Sequence, residues 1–230
     1  MTVFTLWLEG DVTDLAIVIG AILGAAWGLA SDRIAARWPA HDDGAVRPID
    51  WRTPVVAVVG GLAGGLTTAR YADDPFHLLA IGVVVVALVV MFATDLDQRL
   101  LPDVLTLPLI PYALALFALG ASPYLNGPPD LVVAAIAAVI LPLGMYLLSL
   151  PFGPGAIGIG DLKLLVGVGL LGGAWRLVAG LVVGALIAAV AIVVLVAFRR
   201  ITLRSYVPYG PFLILGCLWA LLVLSDGVPV

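Results

Sequence analysis

Between Leu162 and Ala197 the chain runs for 36 residues with only two charges, Lys163 and Arg176. As one helix this run would measure about 54 Å, against a hydrocarbon core of about 30 Å. Gly172-Gly173 followed by Arg176 supplies a turn, so the run is expected to split into two helices. The rest of the chain is of the same kind: 63% of residues are hydrophobic, 11% are charged and mean hydropathy is +1.17. A soluble domain carries about 45–50% apolar and about 25% charged residues. Too little polar surface remains to cover a globule in water. The expected fold class is therefore all-α, a polytopic membrane protein of about eight transmembrane helices. They are expected near residues 12–30, 54–69, 76–94, 104–120, 131–150, 161–173, 175–198 and 208–225.

Basic residues set the expected orientation. The first inter-helix loop, about 31–53, holds Arg33, Arg37, Arg47 and Arg52 and is placed in the cytoplasm. Alternating from there, Arg99, Lys163, Arg199, Arg200 and Arg204 also fall inside, and only Arg70 and Arg176 fall outside. Both termini are then outside the cytoplasm. The missing basic n-region argues against a cleaved signal peptide. One domain over 1–230 is expected, with the short cytoplasmic loop 31–53 as its one sizeable soluble piece. The four arginines of that loop suit contact with anionic lipid headgroups.

Several chemistries fall away. A net charge of −4 gives no basic surface for nucleic acid. The single Cys217 allows no internal disulfide, and with only His41 and His77 it cannot build a tetrahedral zinc site, so neither metal nor cofactor is expected. The chemistry must come from carboxylates.

Most acids lie in expected loops, where water solvates them. Asp32, beside Arg33, reads as an interfacial charge, and four others remain: Asp95, Asp97, Asp103 and Asp161. Asp95 ends the apolar run 81–94, and Asp161 opens the run 162–171, both on the side placed in the cytoplasm. Ionisable groups at such depth are costly and mark functional sites or wet cavities. Asp103, after Pro102, suits a helix N-cap. Asp97, near Arg99, reads as a solvated loop acid.

The segment 153–160 before Asp161 is rich in glycine, which permits close approach of a peptide backbone. A phosphate loop would need a preceding strand and a Lys-Ser/Thr pair for magnesium, and neither is present. Two carboxylates on one membrane face suit aspartic-protease chemistry: sharing one proton, one activates water while the other protonates the leaving amine.

The stretch from Phe92 to Pro108, Phe-Ala-Thr-Asp-Leu-Asp-Gln-Arg-Leu-Leu-Pro-Asp-Val-Leu-Thr-Leu-Pro, resembles the first signature of the type IV prepilin peptidases. Gly158-Ile159-Gly160-Asp161-Leu162-Lys163-Leu164 resembles their GxGD motif with its following lysine. Val207-Pro208-Tyr209-Gly210-Pro211-Phe212-Leu213 resembles the entry to their last helix, and Trp27–Pro39 loosely resembles the end of their first.

The resemblance implies that Asp95 and Asp161 are catalytic, with Pro102, Gly158, Gly160, Lys163, Pro208, Gly210 and Pro211 supporting the motifs. It implies a plasma-membrane enzyme that cuts the basic leader from prepilins or pseudopilins at the cytoplasmic face. Many members of that family carry two Cys-x-x-Cys pairs that bind zinc in the first loop, and N-methylate the product with S-adenosylmethionine. The loop 31–53 has no cysteine, so zinc is excluded there and methyl transfer is not expected. Two alternatives stay open. A GxGD protease of the presenilin or signal-peptide-peptidase kind lacks the Leu-Pro-Asp-x-Leu-Thr-Leu-Pro stretch. A carboxylate-dependent transporter would place acids near the midplane, on broken helices in a repeated pattern.

Overall fold

The computed structural model describes residues 2–40, 44–153, 157–200 and 209–225, without the side chains of 2–12 and 152. Among the described residues there is no strand. The helices are α1 (Thr2–Ala35), α2 (Arg52–Tyr71), α3 (Pro75–Gln98), α4 (Asp103–Thr106), α5 (Leu109–Ala118), α6 (Pro128–Ser149), α7 (Ile159–Ala197) and α8 (Gly210–Leu222). One 3₁₀ turn, Leu150–Phe152, follows α6. Four segments are long and apolar enough to cross a membrane: Thr13–Ala35 of α1, α3, α6 and α7.

Boundaries differ from the expectation where local chemistry was underweighted. The first helix extends well beyond 12–30 at both ends. The segment expected as one helix over 104–120 is interrupted at Leu107-Pro108, where proline has no N–H to donate and crowds the residue before it. Gly173 is non-helical, with φ 81° and ψ 172°, which divides α7 into 159–172 and 174–197. Positive φ at that residue suits glycine, which lacks a Cβ to clash.

The chain forms two compact units, Met1–Gln98 and Arg99–Val230. In the first, α1 packs along α2 on a seam of glycines. A Cβ on Gly24 would lie 2.2 Å from the Gly60 carbonyl oxygen, and one on Gly64 would lie 2.3 Å from that of Gly20. Residues spaced by four keep returning to one helix face, so small residues at that interval let two backbones approach. In α3 burial begins as a stripe (Ile81, Val84, Val85, Leu88) and becomes continuous from Leu88 to Asp95.

In the second unit α7 packs against α6 and α8. α6 turns its small Ala134 and Ala138 inward, while Val132, Ile136, Val139, Ile140 and Leu143 face outward. That is the reverse of a soluble helix. Lipid solvates the large side chains, and small ones allow helices to close. Arg176, just past the α7 break, is 7% exposed, with its guanidinium 4.4 Å from the Tyr124 ring centroid and Nη2 donating to the Leu224 carbonyl at 3.2 Å.

Candidate active site

Asp95 lies in the last turns of α3 and is 5% exposed. Three residues on, Gln98 closes the helix and donates from Nε2 to two carbonyls, Ala35 at 3.2 Å and Pro39 at 2.7 Å. The end of α3 is thereby tied to the end of α1. Asp97 is not a solvated loop acid. Its side chain is 3% exposed, with Oδ1 2.7 Å from Arg47 Nε and 3.6 Å from Arg52 Nη1.

Asp32 is likewise buried rather than interfacial. It accepts from Thr53 Oγ1 at 2.7 Å and Arg33 Nε at 2.9 Å, and also pairs with Arg47. Asp50 completes the cluster, accepting from Arg47 at 2.6 Å and from Arg52 Nη1 at 2.9 Å. Three arginines of the loop expected to lie on lipid headgroups are therefore engaged within the protein. Arg37 instead donates to the Arg33 carbonyl at 3.0 Å and remains exposed. Burial works against charge on Arg47, but its hydrogen bond to Asp32 and the attraction of Asp32, Asp97 and Asp50 outweigh this and hold its pKa above the ordinary value. Burial likewise opposes ionisation of Asp50, but the Arg52 N–H and the two guanidinium groups outweigh it and hold that carboxyl below the usual range.

The loop's described carboxylates are committed to arginines, and among the described residues no three His, Cys, Asp or Glu side chains converge as a metal site requires. The described residues offer no ligand set that fits a zinc ion.

Asp161 occupies the first turn of α7 and is 9% exposed. Its N–H bonds the Gly158 carbonyl at 3.1 Å, and Gly158 itself is the extended N-cap, with φ −69° and ψ 137°. Gly160 is glycine for reasons of space: a Cβ there would lie 2.8 Å from Leu101 Cβ. Leu101 and Pro102 are both buried, so the end of the first motif packs directly on the second. Asp103 does not cap α4, whose N-cap is Pro102 with no side-chain bond. It receives Lys163 Nζ on both carboxylate oxygens at 2.7 Å. Gly210 and Pro211 open α8 and are buried, while Pro208 lies outside the described residues.

Residues 82–197, which include both aspartates and the Lys163–Asp103 pair, match the type IV leader peptidase family. The chain belongs to that family. It is 33% identical over 171 residues to a prepilin leader peptidase/N-methyltransferase of Burkholderia pseudomallei (strain 1026b), covering 74% of this chain and 54% of that one. A protein of the same name from Aeromonas hydrophila is 30% identical over 186 residues, 80% of this chain and 62% of its own. One from Pseudomonas aeruginosa is 29% identical over 178 residues, with 77% and 60% covered. The chain thus spans little more than half the length of these members. No solved structure matches.

The sequence reading singled out Asp95, Asp161, Gly160 and Lys163. It did not find Arg47 and Gln98 as supports of the end of α3, or Thr53 as a partner of Asp32. The available signal was a loop with four arginines, but Arg47 and Asp97 are fifty residues apart in the chain, beyond any local spacing rule.

Proposed function

We propose that the chain is an intramembrane aspartic endopeptidase that removes the basic leader of type IV prepilins or pseudopilins at the cytoplasmic face of a bacterial plasma membrane. The reading is carried by two carboxylates within the family match, each buried at the end of an apolar helix, Asp95 at 5% and Asp161 at 9% exposure. Burying an ionisable group is expensive, and such groups concentrate where protons must be moved.

In the proposed reaction Asp95 and Asp161 share one proton. The ionised member takes a proton from water as its oxygen attacks the scissile carbonyl carbon. The protonated member hydrogen-bonds that carbonyl oxygen and then delivers its proton to the departing amine, so that a carboxyl and an amino terminus replace the peptide bond. Gly158, next to the Asp161 carboxylate, leaves room there for an extended substrate backbone, while Gly160 packs on Leu101. Neither metal nor cofactor takes part, and the new amino terminus is left unmethylated. In the proposed topology of eight spans, with basic loops in the cytoplasm and both termini outside, both acids lie on the leader's side of the membrane.

The test is cleavage of a peptide with a basic leader and apolar helix by the purified protein in lipid vesicles. Intact peptide after incubation with folded protein would sink the reading. Mass spectrometry of the product in the presence of S-adenosylmethionine tests the methylation claim, and one added methyl group would refute it.

A further inference from the structure

The guanidinium of Arg47 is a three-way junction. Nη2 pairs with Asp32 near the end of α1, Nη1 lies 2.6 Å from Asp50 in the loop, and Nε lies 2.7 Å from Asp97 in the last turn of α3. Each carboxylate comes from a different segment and each takes a different nitrogen. The Arg47 side chain is only 10% exposed, so the junction is built into the protein rather than laid on its surface. Arg33 and Arg52 add a second cation on Asp32 and on Asp50 respectively, giving three arginines for three acids. A basic peptide therefore finds no uncompensated acidic patch here, and the cluster needs another explanation.

That explanation lies in what the junction holds. Asp97 is two residues beyond Asp95 on α3, and residues two apart do not face each other on a helix. Arg47 therefore reaches the helix end through Asp97. Helix ends fray, and the last carbonyls lack partners within the helix. Asp95 sits one turn from such an end. With Asp97 clamped by Arg47 and Gln98 clamped on Ala35 and Pro39, the last turn of α3 is fixed from two sides.

We propose that Arg47 is a positioning residue for peptide hydrolysis: through Asp97 it fixes the last turn of α3 and so the place of the Asp95 carboxylate. This rests on the hydrolytic role assigned to Asp95. The geometry requires a guanidinium, whose planar fork donates to Asp32 and Asp50 through its two Nη atoms while Nε lies in ion-pair range of Asp97 at 2.7 Å. A lysine carries its donors on one nitrogen and cannot span them.

The experiment measures kcat and KM for a prepilin-like peptide in vesicles, per folded molecule and well below each variant's melting temperature. Arg47→Ala and Arg47→Lys should each lower kcat about tenfold to hundredfold, the scale of a misplacement near 1 Å, with KM unchanged. Asp97→Asn should lower kcat in the same way, and Arg47→Ala combined with Asp97→Asn should be no worse than Arg47→Ala alone, because both act through one contact. Millimolar guanidinium ion, but not ammonium, should restore kcat to Arg47→Ala and leave Asp97→Asn unimproved. Arg37→Gln should match the parent protein. The proposal is overturned if Arg47→Ala keeps full kcat, loses only KM, or is not rescued by guanidinium. It is also overturned if the two losses multiply in the double variant. Should Arg47→Ala fail to fold, full kcat in Asp97→Asn is by itself sufficient to refute it. Failure of the parent protein to cleave, or full activity in Asp95→Asn, brings down the hydrolytic reading instead and this proposal with it.

Discussion

Asp95 and Asp161 are supported in opposite ways. Asp95 stands near the C-terminal end of its helix, where charged and amide side chains do the holding: Arg47 and Arg52 on Asp97, and Gln98 on two carbonyls. Asp161 stands in the first turn of its helix, where small residues do it: Gly158 as extended cap and Gly160 pressed on Leu101. The nearby ion pair of Lys163 with Asp103 is at least partly exposed on both partners. A cluster of buried charges fails when any member is removed, because a partner is left uncompensated. A glycine contact fails only when something is added. The two sites should therefore respond to different kinds of mutation.

The largest effect should be common to both. Asp95→Asn and Asp161→Asn keep the shape of the side chain but cannot exchange the proton, so each should lower cleavage on the order of a thousandfold or more while the protein stays folded. Equal activity of Asp95→Asn and the parent would remove Asp95 from the comparison. Next comes addition at the second site. Gly160→Val places carbon against Leu101, an overpacking that costs about 1–3 kcal/mol, and cleavage should fall about tenfold to hundredfold as Asp161 is displaced. Wild-type cleavage by Gly160→Val would show that the contact is not confining.

Removal at the second site should cost far less. Lys163→Gln breaks an exposed pair worth about 0–1 kcal/mol, so melting temperature and cleavage should change only slightly. A loss as large as that of Arg47→Ala would erase the distinction between the two sites. The smallest effect is on pH. The Asp50 carboxyl is held below its ordinary range, so its folded pKa is lower than the unfolded value of about 3.9. Its contribution is complete above that value and is lost as pH falls through the folded pKa. Thermal melting followed downward from about pH 6 should show a slightly shallower decline in Asp50→Asn than in the parent.

The same contrast explains what could be read from the sequence. Asp161 was legible because its supports are its chain neighbours: glycines within three residues, a lysine two residues on and an apolar run behind. The break at Gly173 was legible for the same reason, since Gly172-Gly173 interrupts a run too long for one span. Around Asp95 only the carboxylate itself was legible. Asp97 and Asp32 looked like solvated or interfacial charges because their partners arrive from a loop of no periodicity. Asp103 looked like a cap because Pro102-Asp103 fits the local rule, and the tertiary pair with Lys163 overrode it.

The break at Gly173 also bears on the bilayer. The helical segment 159–172 has fourteen residues, about 21 Å of rise, and the hydrocarbon of a typical membrane is about 30 Å thick. In the proposed placement of Asp161 at one edge, the interruption falls short of the other. Backbone groups freed there must find partners inside the protein; beside the break, Arg176 donates to the Leu224 carbonyl and Tyr124 Oη to that of Leu221 at 2.8 Å, at the end of α8. A lipid matrix can meet so short a segment by thinning around it, at a modest cost per ångström of hydrophobic mismatch. If Asp161 stands at the membrane edge as proposed, acyl-chain length becomes a variable of its position: short-chain lipids would fit the segment before the break, and long-chain lipids would draw the Asp161 end inward, away from water.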